Sequence, residues 1–394
     1  MGSILNVHRT IDLTCRGLSY WPEREDLSCE LARIIASAQD GGATVAECLV
    51  AAGRIDFSDD ASWYRVWRSD GDVNRDRAHA AFRGGHVVTA RSNWLRALNY
   101  YLTAAFPFAA SDESHENAIA EARRCAADYV RHGDAPGEVV RIDWPGGYPL
   151  EGYFLPVRAG SVPTPTVICI GEPGQRKEEY LYKVARHARE RGMSLLAVDL
   201  LGAGHARRFE EVVGRGDLER VIGCIMDYLV DRDDVDGSRI AILADAWGSS
   251  FVARGIAFDD RFAAAVCDGG IWDLHEQAFL RSRLMPIEGN LLRPASRRAA
   301  RGIRCPVLIA AGAAGWLAPA PLKELHDSLV ADHREVTLKI FSREETASAQ
   351  GHSDNPTLAN EYIFDWLESR LTGGMTVGGV EHLRPGRSDI QDQL

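Results

Sequence analysis

Few residues in this chain are of types and spacings that could do chemistry. The most informative stretch is RIAILADAWGSSFVARGIAFDD, from Arg239 to Asp260. It reads as a buried strand, a sharp turn and a helix. A nucleophile elbow is written G-x-S-x-G, with small residues flanking the nucleophile because the turn is strained and the helix packs close. Here Ala244 and Gly248 hold the flanking places, and the tip is Ala246, whose methyl group cannot attack anything. The next amide, that of Trp247, is a candidate oxyanion donor. Ser249 and Ser250, just inside the helix, read as packing residues rather than nucleophiles. Asp245, beside the tip, is a candidate acid or base, or a structural group turned toward the core. Asp268 ends the run FAAAVCD, where it either orients a histidine or caps a turn. His352 follows a glycine in REETASAQGHSDN, after the last strand and before the last amphipathic helix, where a general base of this architecture lies. The loop after PVLIAAG, another place for an orienting acid, carries only Ala313, Ala314 and Gly315.

The elements that must position these residues alternate. Short apolar runs (TVICIG, SLLAVDLLG, RIAILAD, FAAAVCDGG, PVLIAAG, VTLKIFS) are separated by helical ones (KEEYLYKVARHARERG, LERVIGCIMDYLVDR, SSFVARGIAFDD, APLKELHDSLV, NEYIFDWLESRL). Strand and helix in alternation imply a mostly parallel, doubly wound α/β sheet covered on both faces. Such sheets place working groups beyond the carboxyl ends of the strands. The run EVVRIDWPGGYPLEGYFLPV alternates around a Gly-Gly pair and reads as a hairpin ahead of that sheet. Before it the apolar spacing is three and four residues, so 1–135 is expected to be a helical cap region, 136–372 the α/β core and 373–394 a flexible tail. After TVICIG, the turn GEPGQ leads into a helix near Lys177, and its backbone N–H groups suit an oxyanion. Lys177 and Tyr180, together with Trp272, are the side chains expected to meet a substrate.

Composition excludes several classes. Lys plus Arg total 45 against 56 for Asp plus Glu, a net charge of −11, and no basic stripe is present, so neither nucleic acid nor an anionic membrane is an expected partner. The eight cysteines are scattered without C-x-x-C pairs or metal-ligand spacing, which reads as reduced core thiols and no metal. The amino-terminal stretch lacks a basic segment followed by a long apolar one, so a soluble cytoplasmic chain is expected. No phosphate loop or dinucleotide fingerprint appears, so no cofactor is expected. The expected partner is a small molecule, and a homodimer through the helical region is plausible by base rate.

With these motifs in hand, the chain resembles the α/β-hydrolase family that contains 2,6-dihydroxypseudooxynicotine hydrolase and the fungal polyketide chain-shortening hydrolases. The resemblance runs over roughly residues 72 to 371 and is carried by GGHVVTARSNWLRALNYYLTA, GEPGQRKEEY and RFAAAVCDGGIWD. It implies an α/β-hydrolase core closed by a helical cap, and cleavage of a C–C bond next to a ketone, or of an ester, by a Ser-His-Asp triad. Carried over by position, Ala246 stands in the nucleophile's place and His352 in the base's, while Gly171 or Glu172 and Trp247 supply oxyanion amides. The acid's usual place falls on Ala314 or Gly315, so that role does not transfer. The resemblance thus implies a hydrolase for a small hydrophobic, aromatic or polyketide-like metabolite, with Ala246 in place of a native Ser or Asp. A second reading keeps the pocket and uses His352 for a cyclase, dehydratase or retro-aldol step without a covalent nucleophile. A third is a ligand-binding protein without catalysis.

Overall fold

The computed structural model describes residues 20–145, 149–160, 162–171, 175–199, 218–245, 248–269, 302–315, 318–332 and 334–372. The expected tail, 373–394, lies outside the described residues.

Five helices come first: α1 Glu25–Ala36, α2 Val45–Arg54, α3 Asp60–Arg83, α4 Val87–Ala105 and α5 Glu113–Arg131. Their starts are set locally. Thr44, Asp59 and Asp112 each accept a backbone N–H of the first turn that would otherwise lack a partner. Their apolar faces form two clusters. One gathers Leu27, Leu31 and Ile34 with Trp63, Trp67 and Tyr100. The other gathers Trp94, Leu98, Tyr101 and Cys125 with Tyr153, Leu181 and Tyr182 of the following region, so the cap is seated on the core through these last three rings and chains. The cap aromatics Trp63, Trp67, Trp94, Tyr100 and Tyr101 are all fully buried packing residues.

The rest is one eight-stranded sheet in the order β1-β2-β4-β3-β5-β6-β7-β8. Its strands are β1 Glu138–Ile142, β2 Leu150–Leu155, β3 Thr164–Ile170, β4 Ser194–Val198, β5 Val235–Asp245, β6 Ala264–Asp268, β7 Val307–Gly312 and β8 Val336–Phe341. β1 and β2 form the expected antiparallel hairpin, β2 also lies antiparallel to β4, and every other neighbour is parallel. One face packs on α8 Leu218–Val230, α9 Gly248–Phe258 and α10 Pro319–Ala331. The other packs on α6 Tyr180–Lys183, α7 Ala185–Glu190 and α11 Pro356–Leu371. Successive strand residues point to opposite faces, which assigns Ile240, Ile242 and Ala244 to the first layer and Ala241 and Leu243 to the second.

One element differs from its sequence expectation. The run KEEYLYKVARHARERG is not a single helix. It is a 3₁₀ turn, Lys177–Glu179, then α6, a break at Val184 (φ −132°, ψ −17°), then α7. The break lets Lys177, Tyr180 and Lys183 reach carboxylates at the strand ends, and those bonds outweigh continuing one helix.

Close packing between α8 and α9 depends on Gly255. A Cβ there would stand 2.6 Å from the branched Cβ of Ile222. Gly255→Val is therefore expected to force the two helices apart at about 1–3 kcal/mol, read as a lower urea midpoint with an unchanged m-value.

Candidate active site

Three parallel strands hand over to an aspartate at their carboxyl ends: Asp199 after β4, and, on the neighbouring strands β5 and β6, Asp245 and Asp268. Asp245 and Asp268 are register partners on adjacent strands, so their side chains emerge on the same face, toward α6, α7 and α11. Both are buried. Two buried carboxylates side by side stay ionised only if each is matched by a cation or donors. Asp245 Oδ2 accepts three bonds of 2.8 Å, from Lys183 Nζ, Tyr180 OH and Gln175 Nε2. Asp268 Oδ1 lies 2.8 Å from His352 Nε2. The two pairs stand next to each other.

His352 reaches Asp268 from a loop with unusual backbone. Thr346, Ala347 and His352 all have positive φ (68°, 52° and 56°), a left-handed conformation costing roughly 1–3 kcal/mol per such residue. Several bonds hold it. Asp354 accepts the amides of Ser348 and Ala349, and the Ala314 amide donates to Ser348 O. Gly312, at the end of β7, leaves the loop room that a Cβ would fill. The Phe341 ring stands edge-on to the imidazole at 5.0 Å.

Both ring nitrogens of His352 are engaged. Nδ1 lies 2.6 Å from the Ala347 carbonyl, an acceptor only, so Nδ1 carries a proton and donates it. Burial alone would push the imidazole pKa down, but the charge and hydrogen bond of Asp268 outweigh it and raise it above the ordinary value. Burial would likewise raise the Asp268 carboxyl, and the His352 charge, with Lys183 behind it, brings it below the usual range. Below that raised value the pair is an imidazolium donating to a carboxylate from Nε2. In a serine-hydrolase triad it is Nδ1–H that faces the acid, while Nε2 faces the nucleophile. Here neither nitrogen presents a lone pair.

Other expected site residues fall as follows. The Ser249 hydroxyl donates to the backbone oxygens of Ala244 and Asp268, tying α9 to the ends of β5 and β6. Gly248 lets that helix approach β3: a Cβ there would stand 3.0 Å from Gly171 O. The small residue required by an elbow is therefore used as one, against the strand end that carries Gly171. Tyr180 is fully buried and given to Asp245. Lys177 is 2% exposed; its N and Nζ donate to the two carboxylate oxygens of Asp199, each at 2.7 Å, and Nζ also lies 3.1 Å from Glu178. Ala246, Trp247, Glu172 and Trp272 lie outside the described residues. Among the described residues no His/Cys/Asp/Glu group could hold a metal, and no helix is long and apolar enough to cross a membrane. Sequence reasoning missed Lys183 and Gln175. The signal was there in part: Tyr180 and Lys183 are three apart, the spacing that puts two side chains on one helical face.

A family model described as Esterase FrsA-like matches residues 21–283, more than half of the 394. Hydrolyase poxO of Penicillium oxalicum is 30% identical over 278 residues, 66% of this chain and 64% of the relative. The 20-hydroxy-prefusarin hydrolase FUS2 of Gibberella moniliformis is 29% identical over 267 residues, 65% and 62% respectively. The chain thus spans less than two thirds of the length of these curated relatives. Among solved structures, the 2,6-dihydroxy-pseudo-oxynicotine hydrolase superposes with a TM-score of 0.68 over 86% of this chain and 95% of its own, at 20% identity, a likeness of fold.

Proposed function

The chain belongs to the FrsA-like esterase family and has the α/β-hydrolase fold, and from that premise we propose that it acts on a small hydrophobic metabolite, aromatic or polyketide-like, at a ketone or an ester. The observation that carries the reading is the buried His352–Asp268 pair at the carboxyl edge of the sheet. With Ala246 at the nucleophile's position, no side chain there can form an ester with substrate. The His352 ring holds two protons and an adjacent negative charge. Such a group donates a proton or stabilises developing negative charge on oxygen. That suits dehydration, cyclisation or retro-aldol cleavage next to a ketone better than acyl-enzyme hydrolysis. Amides near Gly171, Glu172 and Trp247 would share the oxyanion. The partner in this reading is a small molecule, and the setting is the cytoplasm. No metal or cofactor enters it. The name of one relative, a hydrolyase, accords with chemistry of this kind, while the other is named a hydrolase. The direct test offers β-hydroxyketones and aryl esters and follows their loss by chromatography. Turnover of a β-hydroxyketone that disappears in His352→Gln supports the reading; turnover unchanged in that variant overturns it.

A second reading, hydrolysis through a nucleophile at 246, is favoured by one observation: the close approach of Gly248 to Gly171 keeps the frame of an elbow. Ala246→Ser separates the two. At pH 6, below the ordinary histidine value and so below the raised one, this variant is expected to hydrolyse p-nitrophenyl acetate within about tenfold of the parent chain, about 1.4 kcal/mol of barrier, because the protonated His352 has no free lone pair. Activity should emerge only as pH rises through the raised imidazole pKa. Brisk hydrolysis at about pH 6 would instead favour the second reading.

A further inference from the structure

We propose that Lys183 and Asp245 are positioning residues that set the charge of the His352–Asp268 pair: Lys183 neutralises one of two side-by-side strand-end carboxylates, so that the other is free to hold His352 as an imidazolium. The proposal rests on the reading that this pair serves the reaction, but its test reads the imidazole itself. The geometry is a row of four groups from four elements. Lys183 comes from α6, Asp245 from β5, Asp268 from β6 and His352 from the loop after β8. The two carboxylates are matched in register, and a cation closes each end at 2.8 Å. The charges therefore run plus, minus, minus, plus, with a net of zero, in a place where an unpaired charge is expensive.

The alternative arrangements fail on charge. Without Lys183, two buried carboxylates would face one imidazolium, and a proton would settle between them. With that proton on Asp268, the carboxyl would no longer hold His352 charged. Asp245 Oδ2 is already saturated by Lys183, Tyr180 and Gln175. The oxygen that is held is held hard, which keeps the carboxylate pinned against Lys183. Burial opposes the Lys183 charge, and Asp245 and then Asp268 more than restore it, raising its pKa. Other groups facing His352 do not supply the balance. Phe341 of β8 contributes an uncharged ring, with Lys339 and Tyr362 of α11 on that ring. Asp354, in the histidine's own loop, is taken up by the amides of Ser348 and Ala349.

The experiment is a pH titration of the imidazole by two-bond ¹H–¹⁵N correlation on the full chain, with the His352 signal assigned from His352→Gln. In the parent chain the His352 midpoint should lie above the ordinary histidine value. Asp245→Asn removes one anion and leaves Lys183 repelling the ring, so the midpoint is expected to fall by about one pH unit or more, tenfold in proton affinity. Asp245→Asn with Lys183→Met restores neutrality, and the midpoint should return toward that of the parent. A midpoint unmoved by Asp245→Asn, or one equally low in the double variant, overturns the proposal whatever happens to turnover. If Asp245→Asn does not fold, Lys183→Met alone decides. It should place a titrating carboxyl near neutral pH, seen by ¹³C signals of the aspartates; the absence of such a carboxyl overturns the proposal. Equal losses of thermal stability with no shift in any titration would mark a purely structural ion pair, and overturn it too.

Discussion

Asp268→Asn is expected to lose about 3–5 kcal/mol of stability, the usual result of breaking a buried ion pair from one side, and on the order of 10³–10⁴-fold in turnover. The amide keeps the shape of the carboxylate but cannot hold an imidazolium. His352, 2% exposed and still hydrogen-bonded to Ala347 O, would then be a buried cation without a counter-ion, or would lose its proton. The pH dependence follows from the two shifts. The His352 pKa is raised on folding, so its contribution is complete below the unfolded value and is lost as pH climbs through the folded one. The Asp268 pKa is lowered, so its contribution is complete above the unfolded value and is lost as pH falls through the folded one. The stability gap between parent and variant should therefore be widest at about pH 4–6.5, between the two unfolded values, and should narrow on further alkalinisation. Urea melts at several pH values measure it. A gap that stays flat from pH 5 to 9 would mean that the pair is not an ion pair.

A similar loss is expected from Lys177→Met, at a different place. Lys177 Nζ sits among Asp199 (2.7 Å), Glu178 (3.1 Å) and Glu151 (3.5 Å), with Tyr153 OH donating to Glu178 at 2.9 Å. Arg123 of α5 stands 3.8 Å from Glu178, so the cluster also joins cap to core. Methionine fills much of the same volume but leaves buried carboxylates facing each other. The expected cost is about 3–5 kcal/mol near pH 7. Burial and mutual repulsion would then raise the folded pKa values of these carboxyls above their unfolded ones. A raised folded pKa gives stability that grows as pH falls, so this variant should regain stability between pH 7 and 5. In the parent the lysine charge is held by the same carboxylates against burial. The measurement also separates two roles. A lysine that meets substrate would raise KM and spare the melting temperature. The expected result is the reverse, a lowered melting temperature with little change in KM for the molecules that remain folded. Tyr153→Phe, which removes a single donor to Glu178, should cost only about 1 kcal/mol.

Much of the architecture was legible because periodicity is local. The alternation of VVRI and EGYFL about a Gly-Gly pair is enough for the β1–β2 hairpin, and short apolar runs between amphipathic ones are enough for a parallel sheet. Strand parity was legible as well: in RIAILAD the aspartate shares a face with Ala241 and Leu243, the face that α7 and α11 cover. The long helix α3 carries a weaker signal, because DASWYRVWRSDGDVNRDRAHAAFR buries Trp63 and Trp67 amid many charges. The run KEEYLYKVARHARERG read as one helix and is three pieces, because its lysines and tyrosine are drawn to carboxylates that belong to other strands.

The sequence alone determined which groups are available: an alanine at 246 between a strand run and a helical run, a histidine after the last strand, aspartates at strand ends, and no carboxylate just after β7. Which carboxylate meets His352 was decided only in three dimensions. Asp268 and His352 are 84 residues apart in the chain, and what joins them is the register of β6 against β5, the room left by Gly312 and a loop held in left-handed backbone. The same holds for the ring's orientation, with both nitrogens donating, and for the match of Lys183 to Asp245. Periodicity and composition act over a few neighbours, whereas the pairing of buried charges is fixed by where strands end and how closely their connections can pass.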